Sequence, residues 1–391
     1  MKKVREGYKM TELGEIPSDW EIRAIKDIFS VRRESFNPRN EDECDYIGLE
    51  HIEAGTGRIL GVGKSTETLS NKSKFYKNDI LFGKLRPYLR KYWYSNIDGV
   101  CSTEIIPLQT NNNYNSLLGF YLIQNENFIE YINAKTFGTK MPRASWDDMK
   151  GFKVAISKLE KEQQKIASIL STVDEHIDNV NELIEKNKEL KKGLMQQLLT
   201  KGIGHTKFKK TEIGEIPEAW EVKKLGEIFR LSSGNFLSQK NIVNGSYPVY
   251  GGNGITGYHN EFLFVDAKLV IGRVGAKCGC VCISEPNAWI TDNALYISEK
   301  IEIFNDNYMY YLLDNMNLNS YANQNAQPVI SGQKIYSISV GFPSIKEQEK
   351  IASILLESDE KIEEYENKKQ KLEELKKGLM QQLLTGKIRV I

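Results

Sequence analysis

The sequence predicts two globular α/β domains and two long coiled-coil helices, arranged as an internal duplication. Three observations predict this class of fold. The chain repeats itself at two places, the repeated blocks have the composition of long helices, and the blocks between them combine short apolar strands with helical segments. The length of 391 residues suits two or three domains. Hydrophobic residues make up 40% of the chain and charged residues 27%, which is enough apolar material for packed cores.

Three pairs of segments carry the duplication. The segment TELGEIPSDWEI at 11–22 recurs as TEIGEIPEAWEV at 211–222, and KEQQKIASIL at 161–170 recurs as KEQEKIASIL at 346–355. The segment ELKKGLMQQLLT occurs without a mismatch at 189–200 and again at 374–385. The period is far longer than the unit of a solenoid. The chain is therefore a duplicated module, in which a variable block is followed each time by a nearly constant one.

The constant blocks have the features of long helices that pair along an apolar seam. The stretch 161–199 contains no proline and is rich in good helix formers. Apolar residues recur with the heptad spacing of a coiled coil, and polar Asn187 within the seam can fix its register. The alternative is an amphipathic helix packed on its own globular block, but a seam of this length favours a partner of equal length. The predicted helix-pair seam contains Ile166, Leu170, Val173, Ile177, Val180, Ile184, Asn187, Leu194, Ile351, Leu355, Ile362, Leu372, Leu379 and Leu383.

The variable blocks have the pattern of globular α/β domains. In the first block, 46–49, 79–83 and 103–108 are predicted strands and 115–132 is a predicted helix. In the second block, 268–272 is a predicted strand and 307–317 a predicted helix. In both blocks an apolar strand ends in a glycine followed by a base, Gly83-Lys84 and Gly272-Arg273. Elsewhere the two blocks differ, which indicates one fold with two different binding specificities.

Composition excludes several classes of protein. No stretch approaches about eighteen uninterrupted apolar residues, so we expect no transmembrane helix. The first eight residues are basic but no apolar run follows them, so we expect no secretory signal. Five cysteines argue against a disulfide framework and for the reducing cytoplasm. The formal net charge of +1 does not by itself indicate a nucleic-acid binder.

Two glycine motifs resemble nucleotide-binding loops but lack the context that such loops need. Residues 252–257 fit G-x-G-x-x-G, yet Pro248 interrupts the preceding run and no helical pattern follows, so a glycine-rich turn is the better interpretation. Gly63-Lys64-Ser65 ends like a P-loop, but Arg58 stands where that motif requires its first glycine.

No metal site or catalytic centre is indicated. Cys278, Cys280 and Cys282 alternate, so on a strand they would share one face, but a structural zinc needs four ligands and the nearest histidine is His259. Small buried side chains are favoured over zinc. The remaining histidines form no acid–base or metal pattern. The sequence shows no methyltransferase motif of the Asn-Pro-Pro-Tyr type, no helicase motif and no convincing nuclease motif. We therefore expect no catalytic residues, no metal and no resident cofactor.

One stretch of the first block combines bases with aromatic residues. Between 64 and 91 there are eight basic and only two acidic residues, interleaved with four aromatic residues and followed directly by three more at 92–94. Basic side chains can neutralise DNA phosphates or reach guanine, while aromatic rings can pack on a sugar or a nucleobase. The alternative is a solvated face beside core aromatics, and from this stretch alone the two are evenly matched. The candidate DNA-binding residues of the first block are Lys84, Arg86, Tyr88, Arg90, Lys91, Lys140 and Arg143.

The second block is less basic, and its candidates mix bases with amides. Asparagine and glutamine can form paired hydrogen bonds with adenine, although they are also ordinary loop residues. The candidate DNA-binding residues of the second block are Lys240, Asn253, Tyr258, Arg273, Lys277, Gln324 and Gln327.

With both repeats established, the chain resembles the specificity subunit of type I restriction-modification systems. The Gly-Glu-Ile-Pro-x-x-Trp segments begin at Gly14 and Gly214, and the Lys-Glu-Gln-x-x-Ile-Ala segments begin at Lys161 and Lys346. The Leu-Lys-Lys-Gly-Leu-Met-Gln-Gln-Leu-Leu-Thr segments at 190–200 and 375–385 complete the set, and the resemblance covers essentially the whole chain. Because recognition residues vary within this family, none is transferred by motif, and the candidates above rest on residue chemistry.

The resemblance implies a specific architecture. It implies two α/β (α+β) target-recognition domains joined by two long antiparallel coiled-coil helices, with pseudo-twofold symmetry. On this basis we expect the first target-recognition domain at 1–157, the first spacer helix at 158–200, the second domain at 201–343 and the second spacer helix at 344–391.

The resemblance also implies a function. Each domain would read one half of a bipartite, asymmetric double-stranded DNA target, while the helices set the spacing and dock two methylation subunits. Restriction subunits would join the complex. S-adenosylmethionine, ATP and magnesium would be bound by those partners. Two alternatives remain, a coiled-coil protein-binding adaptor without direct DNA contact and a stand-alone DNA methyltransferase or nuclease.

Overall fold

The chain folds into two units. A computed structural model describes residues 4–67, 69–136, 140–238, 240, 242–243, 245–323 and 328–390. The first unit comprises Met1–Val180 and Lys368–Ile391, and the second comprises Asn181–Asn367. Each unit therefore contains one globular domain, the first part of one long helix and the last part of the other.

The first domain combines a four-stranded and a five-stranded sheet with short helices. Its strands are β1 (Tyr8–Thr11), β2 (Gly14–Pro17), β3 (Trp20–Ala24), β4 (Phe29–Val31), β5 (Ser35–Phe36), β6 (Asp45–Ile47), β7 (Gly63–Lys64), β8 (Lys72–Phe75), β9 (Ile80–Gly83), β10 (Tyr92–Tyr94), β11 (Gly99–Cys101), β12 (Ile105–Thr110) and β13 (Lys153–Ser157). Its helices are α1 (Ile25–Ile28), α2 (Ser116–Gln124), α3 (Glu126–Thr136) and α4 (Trp146–Met149). The four-stranded sheet is antiparallel in the order β10-β9-β12-β4, and the five-stranded sheet has the order β5-β8-β11-β6-β7 with one parallel pair.

The second domain is built on the same plan with different details. Its strands are β14 (Phe208–Thr211), β15 (Gly214–Pro217), β16 (Glu221–Lys224), β17 (Phe229–Ser233), β18 (Tyr247–Gly251), β19 (Gly254–His259), β20 (Leu269–Gly272), β21 (Val281–Ile283), β22 (Trp289–Ile290), β23 (Ala294–Lys300) and β24 (Ser339–Phe342). Its helices are α6 (Leu225–Ile228), α7 (Asp306–Asn315) and α8 (Gly332–Tyr336). The four-stranded antiparallel sheet has the order β17-β23-β20-β21, and a three-stranded sheet has the order β19-β18-β22.

The two long helices are α5 (Glu160–Lys201) and α9 (Ile345–Leu383). Within the second unit, Lys188 and Lys191 of α5 form ion pairs with Glu366 and Asp359 of α9. Because the residue number falls along α9 as it rises along α5, the two helices run antiparallel there. No helix in the described part of the chain is both long and apolar enough to cross a membrane.

The repeated sequence segments explain how each domain is attached to a helix. Trp20 and Trp220, from the repeated Gly-Glu-Ile-Pro-x-x-Trp segments, are buried in the two main cores. The indole Nε1 of Trp20 donates to Oε2 of Glu162 at 2.9 Å, and that of Trp220 donates to Oε2 of Glu347 at 3.0 Å. Glu162 and Glu347 belong to the repeated Lys-Glu-Gln-x-x-Ile-Ala segments. This segment and the Gly-Glu-Ile-Pro-x-x-Trp segment are therefore repeated together because they contact each other in each unit.

Two sequence expectations need correction. The predicted helix over 115–132 is two helices, α2 and α3, because Asn125 leaves the helical conformation, with a ψ of 134°, and its Oδ1 accepts a hydrogen bond from the N–H of Asn127. The three alternating cysteines do not share a strand, because only Cys282 lies within β21. The thiol of Cys280 instead lies 3.3 Å from the carbonyl oxygen of Gly252.

Candidate nucleic-acid interface

In the first domain, the segment after β9 is held by main-chain hydrogen bonds on both sides. The N–H of Lys84 donates to the carbonyl of Glu104 at 2.8 Å, and the carbonyl of Lys84 accepts from the N–H of Ala144 at 2.9 Å. The N–H of Arg86 donates to the carbonyl of Pro142 at 2.8 Å. We call residues 84–86, 104 and 142–144 the first ladder. Because its backbone is fixed from both sides, it can hold side chains in a defined orientation.

The second domain contains the same ladder at equivalent positions. The N–H of Arg273 donates to the carbonyl of Asn293 at 2.9 Å, and the carbonyl of Arg273 accepts from the N–H of Ile330 at 3.0 Å. The N–H of Gly275 donates to the carbonyl of Pro328 at 3.0 Å. We call residues 273–275, 293 and 328–330 the second ladder. Each main-chain bond of the first ladder thus has a counterpart in the second, whereas most side chains differ.

The first ladder brings together three basic residues that are predicted to bind DNA, Lys84, Arg86 and Arg143. Lys84 is half-buried and Arg86 is exposed, and neither forms an ion pair with any residue that the structure describes. Exposed Arg143 forms an ion pair with Glu104, with 3.2 Å between Nε and Oε2. Lys140 is also exposed and has no ion-pair partner in the described part of the chain. The ladder therefore carries more positive than negative charge.

Arg86 has a backbone conformation that disfavours a large side chain. Its φ is 51°, in the left-handed region, and the equivalent Gly275 has φ of 102°. The second domain thus places at this point the residue that tolerates positive φ, while the first places an arginine. Such strain concentrates at functional sites, which makes the exposed guanidinium of Arg86 a strong candidate for contact with a ligand.

The other bases of the 64–91 stretch are largely engaged within the domain. Arg90 forms an ion pair with Glu126, and Nζ of Lys91 donates to the carbonyl of Leu49 at 2.6 Å. Further bases of the stretch are paired or buried, among them Lys64 with Asp45, Lys74 with Glu41, and Lys72. Tyr88 is half exposed. The positive charge of the stretch available to a ligand is therefore limited to Lys84 and Arg86, which belong to the first ladder, and to exposed Lys77, which does not and has no ion-pair partner among the described residues.

The predicted residues of the second domain are spread over several loops. Arg273 is half-buried, with Nη1 3.4 Å from Oγ of Ser233, while Lys277 and Lys240 are exposed. Asn253 is exposed in the turn between β18 and β19, and Tyr258 is exposed on β19. Gln324 and Gln327 lie outside the described residues.

Residues 252–257 form the turn of a β-hairpin and the start of its second strand, in agreement with the glycine-rich-turn interpretation. The strands β18 and β19 pair antiparallel, with Gly251 opposite Gly254, and no helix follows. Within the described ranges, no group of three or more histidine, cysteine, aspartate or glutamate side chains is arranged to hold a metal ion.

The predicted seam residues lie on the covered faces of the long helices. None of the fourteen is exposed. Asn187, Leu194, Leu372 and Leu379 are half-buried, and the other ten are buried. Asn187 donates through Nδ2 to the carbonyl of Leu183 in its own helix at 2.7 Å.

A group of three polar residues joins each domain to both helices, and sequence reasoning missed it. In the first unit, Asp174 of α5 accepts from the hydroxyl of Tyr121 at 2.8 Å and lies 2.7 Å from Nζ of Lys376 of α9. The same group recurs in the second unit as Tyr311, Asp359 and Lys191. Burial and the neighbouring aspartate raise the pKa of both tyrosines. The hydroxyls therefore stay protonated and act as donors.

The repeated ELKKGLMQQLLT segments also present an exposed surface that no internal contact explains. Leu190 and Leu375 are 58% and 49% exposed. A Cβ added at Gly193 or at Gly378 would meet no described atom within 4 Å. Glycine inside a helix costs roughly 1 kcal/mol relative to alanine. Internal packing thus gives no reason for leucine and glycine at these positions in both copies.

Comparison with known proteins finds relatives that are described as type I restriction specificity subunits. The family model described as type I restriction modification DNA specificity domain matches residues 17–191 and 217–374. The putative type I restriction enzyme MjaX specificity subunit of Methanocaldococcus jannaschii is 30% identical, over 98% of this chain and 97% of the relative. The EcoprrI specificity subunit of Escherichia coli is 38% identical over 34% of each chain.

Solved structures share the fold. A type I restriction-modification S subunit from M. genitalium matches with a TM-score of 0.61 and 18% identity, over 98% of both chains. A chain from a study of complex assembly and conformational transition of a type I system matches with a TM-score of 0.61 and 15% identity, over 95% of this chain and 99% of that one.

Proposed function

The chain belongs to the type I restriction-modification DNA specificity family, and we propose that each of its two domains reads one half of a bipartite, asymmetric double-stranded DNA target. We assign the first target-recognition domain to 1–157 and the second to 201–343, with spacer helices at 158–200 and 344–391. The chain itself is non-catalytic and acts in the cytoplasm, where its DNA target lies.

The observation that carries the proposal is the pair of ladders with equal main-chain bonds and unequal side chains. A fixed backbone positions a side chain against a base edge, and the side chain then decides which base is accepted. The first ladder presents Lys84, Arg86 and Arg143, whereas the second presents Arg273. Two different sets of side chains on one frame select two different half-sites, so the full target is asymmetric.

The helices set the distance between half-sites and dock the partners. The face that contains Leu190 and Gly193 in α5 recurs as Leu375 and Gly378 in α9. Two equal faces bind two copies of one partner, the methylation subunit, and each glycine lets the partner backbone approach closely. Restriction subunits complete the assembly. S-adenosylmethionine, ATP and magnesium are bound by these partners.

Partners are also required for tight DNA binding. Non-specific affinity depends on the number of phosphates neutralised, and the chain has a net charge of only +1. Several of its bases are already paired with carboxylates inside the domains. The specificity chain therefore contributes the choice of sequence, while the partners supply much of the contact with the phosphate backbone.

The experiment that tests this function replaces basic residues of the first domain and measures DNA methylation by the assembled complex. The chain is co-produced with its methylation subunits, and the variant Lys84→Gln, Arg86→Gln is compared with the wild type for DNA methylation. A matched control replaces the exposed Lys26 and Lys135 by glutamine. We expect the first variant to lose methylation while still assembling, and the control to retain it.

The same experiment separates the alternatives. An adaptor without DNA contact would give full methylation by the first variant. A stand-alone methyltransferase or nuclease would modify or cleave DNA as the purified chain, without any partner. Either outcome would contradict the proposed function.

A further inference from the structure

We infer that Glu104 and Asn293 are base-contacting residues that hold equivalent positions in the two domains. Glu104 contacts cytosine in one half-site, and Asn293 contacts adenine in the other. The inference rests on the proposed function and names two determinants of specificity that sequence analysis did not select.

The equivalence of the two positions follows from strand register. Glu104 immediately precedes β12, whose first residue, Ile105, lies opposite Gly83 of β9. Asn293 immediately precedes β23, whose first residue, Ala294, lies opposite Gly272 of β20. Each strand-ending glycine is followed by a basic residue. The backbone N–H of Lys84 donates to the carbonyl of Glu104, and that of Arg273 donates to the carbonyl of Asn293. The two residues therefore stand at the same point of the same sheet, beside the same type of cationic neighbour.

The side chains at these positions have unused hydrogen-bonding capacity. Glu104 is half-buried: its Oε2 is buried at 3.2 Å from Nε of Arg143, while the side chain as a whole remains 30% exposed and Oε1 accepts no hydrogen bond from any described residue. Asn293 is exposed, and its side-chain amide forms no hydrogen bond within the part of the chain that the structure describes. Both groups can accept a partner without breaking an internal hydrogen bond.

Their chemistry matches different bases. In the major groove a carboxylate accepts from the N4 amino group of cytosine, whereas an asparagine amide pairs with N6 and N7 of adenine. The neighbouring basic side chains of Lys84 and Arg273 can donate hydrogen bonds to O6 and N7 of guanine. Phosphate repels a carboxylate, so an acidic side chain beside the cationic side chains of the first ladder weakens binding to the DNA phosphate backbone. Such a side chain is useful where one nucleobase must be distinguished from another. The neighbouring Arg143 offsets this repulsion.

The test exchanges the two side chains in the assembled complex with its methylation subunits. The variants Glu104→Asn and Asn293→Glu are made separately, and the methylated motif of each is determined by sequencing modified DNA. We expect Glu104→Asn to replace cytosine by adenine at one position of the first half-site and to leave the second half-site unchanged. We expect Asn293→Glu to make the reverse change in the second half-site only. Methylation of the original motif should fall by about tenfold or more in each case.

The control variant is Glu12→Asn, which removes a carboxylate of the same domain that forms an ion pair with Lys153 away from the ladder. It should keep the original motif. If both ladder variants assemble and methylate the original motif at the wild-type rate, the inference is wrong. If Glu104→Asn fails to assemble, the exposed Asn293→Glu variant decides alone. Failure of the proposed function is distinguishable, because the wild-type complex itself would then methylate no bipartite motif.

Discussion

Nζ of Lys191 lies 2.6 Å from Oδ1 of Asp359, and this ion pair joins helices that come from different repeats of the sequence. The other unit contains the equivalent pair, Lys376 with Asp174, at 2.7 Å. In both units the aspartate also accepts a hydrogen bond from a tyrosine of the globular domain. Each domain is therefore fixed to its own helix and, through the lysine, to the helix of the other repeat. Within each unit, the same three-residue group thus connects segments from both repeats of the sequence.

The Lys191–Asp359 pair should contribute more to stability than a neighbouring surface pair. Lys191→Met leaves the carboxylate of Asp359 with only the Tyr311 hydroxyl, so we expect a loss of about 1–3 kcal/mol in the free energy of unfolding. Lys188→Met is the matched control, because Lys188 and its partner Glu366 are about half exposed and such pairs contribute 0–1 kcal/mol. Denaturant unfolding measures both. Equal effects of the two variants would show that the group of Tyr311, Asp359 and Lys191 has no special role in stability.

Glu162 should make the first unit sensitive to acid. Burial raises the pKa of its carboxyl, but hydrogen bonds from Arg389, Ser157 and Trp20 outweigh burial and hold the pKa below its ordinary value of 4.5. A lowered pKa means that the stabilisation is present above the unfolded-state pKa and is lost as pH falls through the folded-state pKa. Stability of the first unit should therefore fall below about pH 4.5.

The variant Glu162→Gln tests this assignment. Arg389 is 24% exposed and keeps its ion pair with Asp19 in this variant, so we expect the loss of the charged Glu162 partner to cost about 1–3 kcal/mol at neutral pH. The loss of stability on acidification should be smaller in the variant than in the wild type. Unfolding of the first unit is followed by denaturant titration at several pH values. An unchanged slope of stability against pH would contradict the role given to Glu162.

Arg86→Gly should separate stability from function. Glycine relieves the positive φ, so we expect the free energy of unfolding to stay the same or to rise by about 1 kcal/mol. Methylation that depends on the first half-site should fall, because the exposed guanidinium is lost. Asn78→Gly is the control, since Asn78 also has a positive φ, of 70°, in the same domain. Normal methylation by Arg86→Gly would remove Arg86 from the interface.

Lengthening both helices should lengthen the target. One heptad inserted into α5 and one into α9 at matching levels adds about 10 Å at 1.5 Å per residue. This corresponds to about three base pairs of the duplex. The motif methylated by the variant complex should therefore have a longer gap between unchanged half-sites. An unchanged gap in a complex that still methylates would refute the spacer role of the helices.

The fragment 1–200 should rebuild a complete structure by dimerising with a second copy of itself. In the first unit, α5 packs with the last part of α9, which carries the segment repeated at 189–200. A second copy of the fragment supplies that segment. We expect a dimer that reads a symmetric target together with its methylation subunits. Light scattering measures its mass, and a fragment that stays monomeric with these partners present would contradict the antiparallel pairing.

The sequence predicted the elements whose signals are local. The strands ending at Gly83 and Gly272 were predicted from short apolar runs, and the long helices from composition and heptad spacing. The break at Asn125 was missed because the flanking segments have continuous helical character, and only the capping residue marks the boundary.

The candidate site was predicted less completely because its contacts are long-range. Nothing local in the sequence pairs Lys84 with Glu104 and Ala144, so the ladder was invisible until the strands were in register. The basic stretch overstated the free charge, because the carboxylates that pair with its bases come from distant segments. The shared Gly83-Lys84 and Gly272-Arg273 pattern was the one available signal for the ladder, and it marked the equivalent strand ends.

The central claim is that the two domains read two different half-sites of one DNA target. Adenine-methylation mapping of the source genome, with and without this gene, tests it most directly. The account predicts that deletion removes one bipartite, asymmetric motif and that restoring the gene returns it. Loss of a continuous or symmetric motif, or a methylome that the deletion leaves unchanged in cells that produce the chain and its methylation subunits, would contradict it.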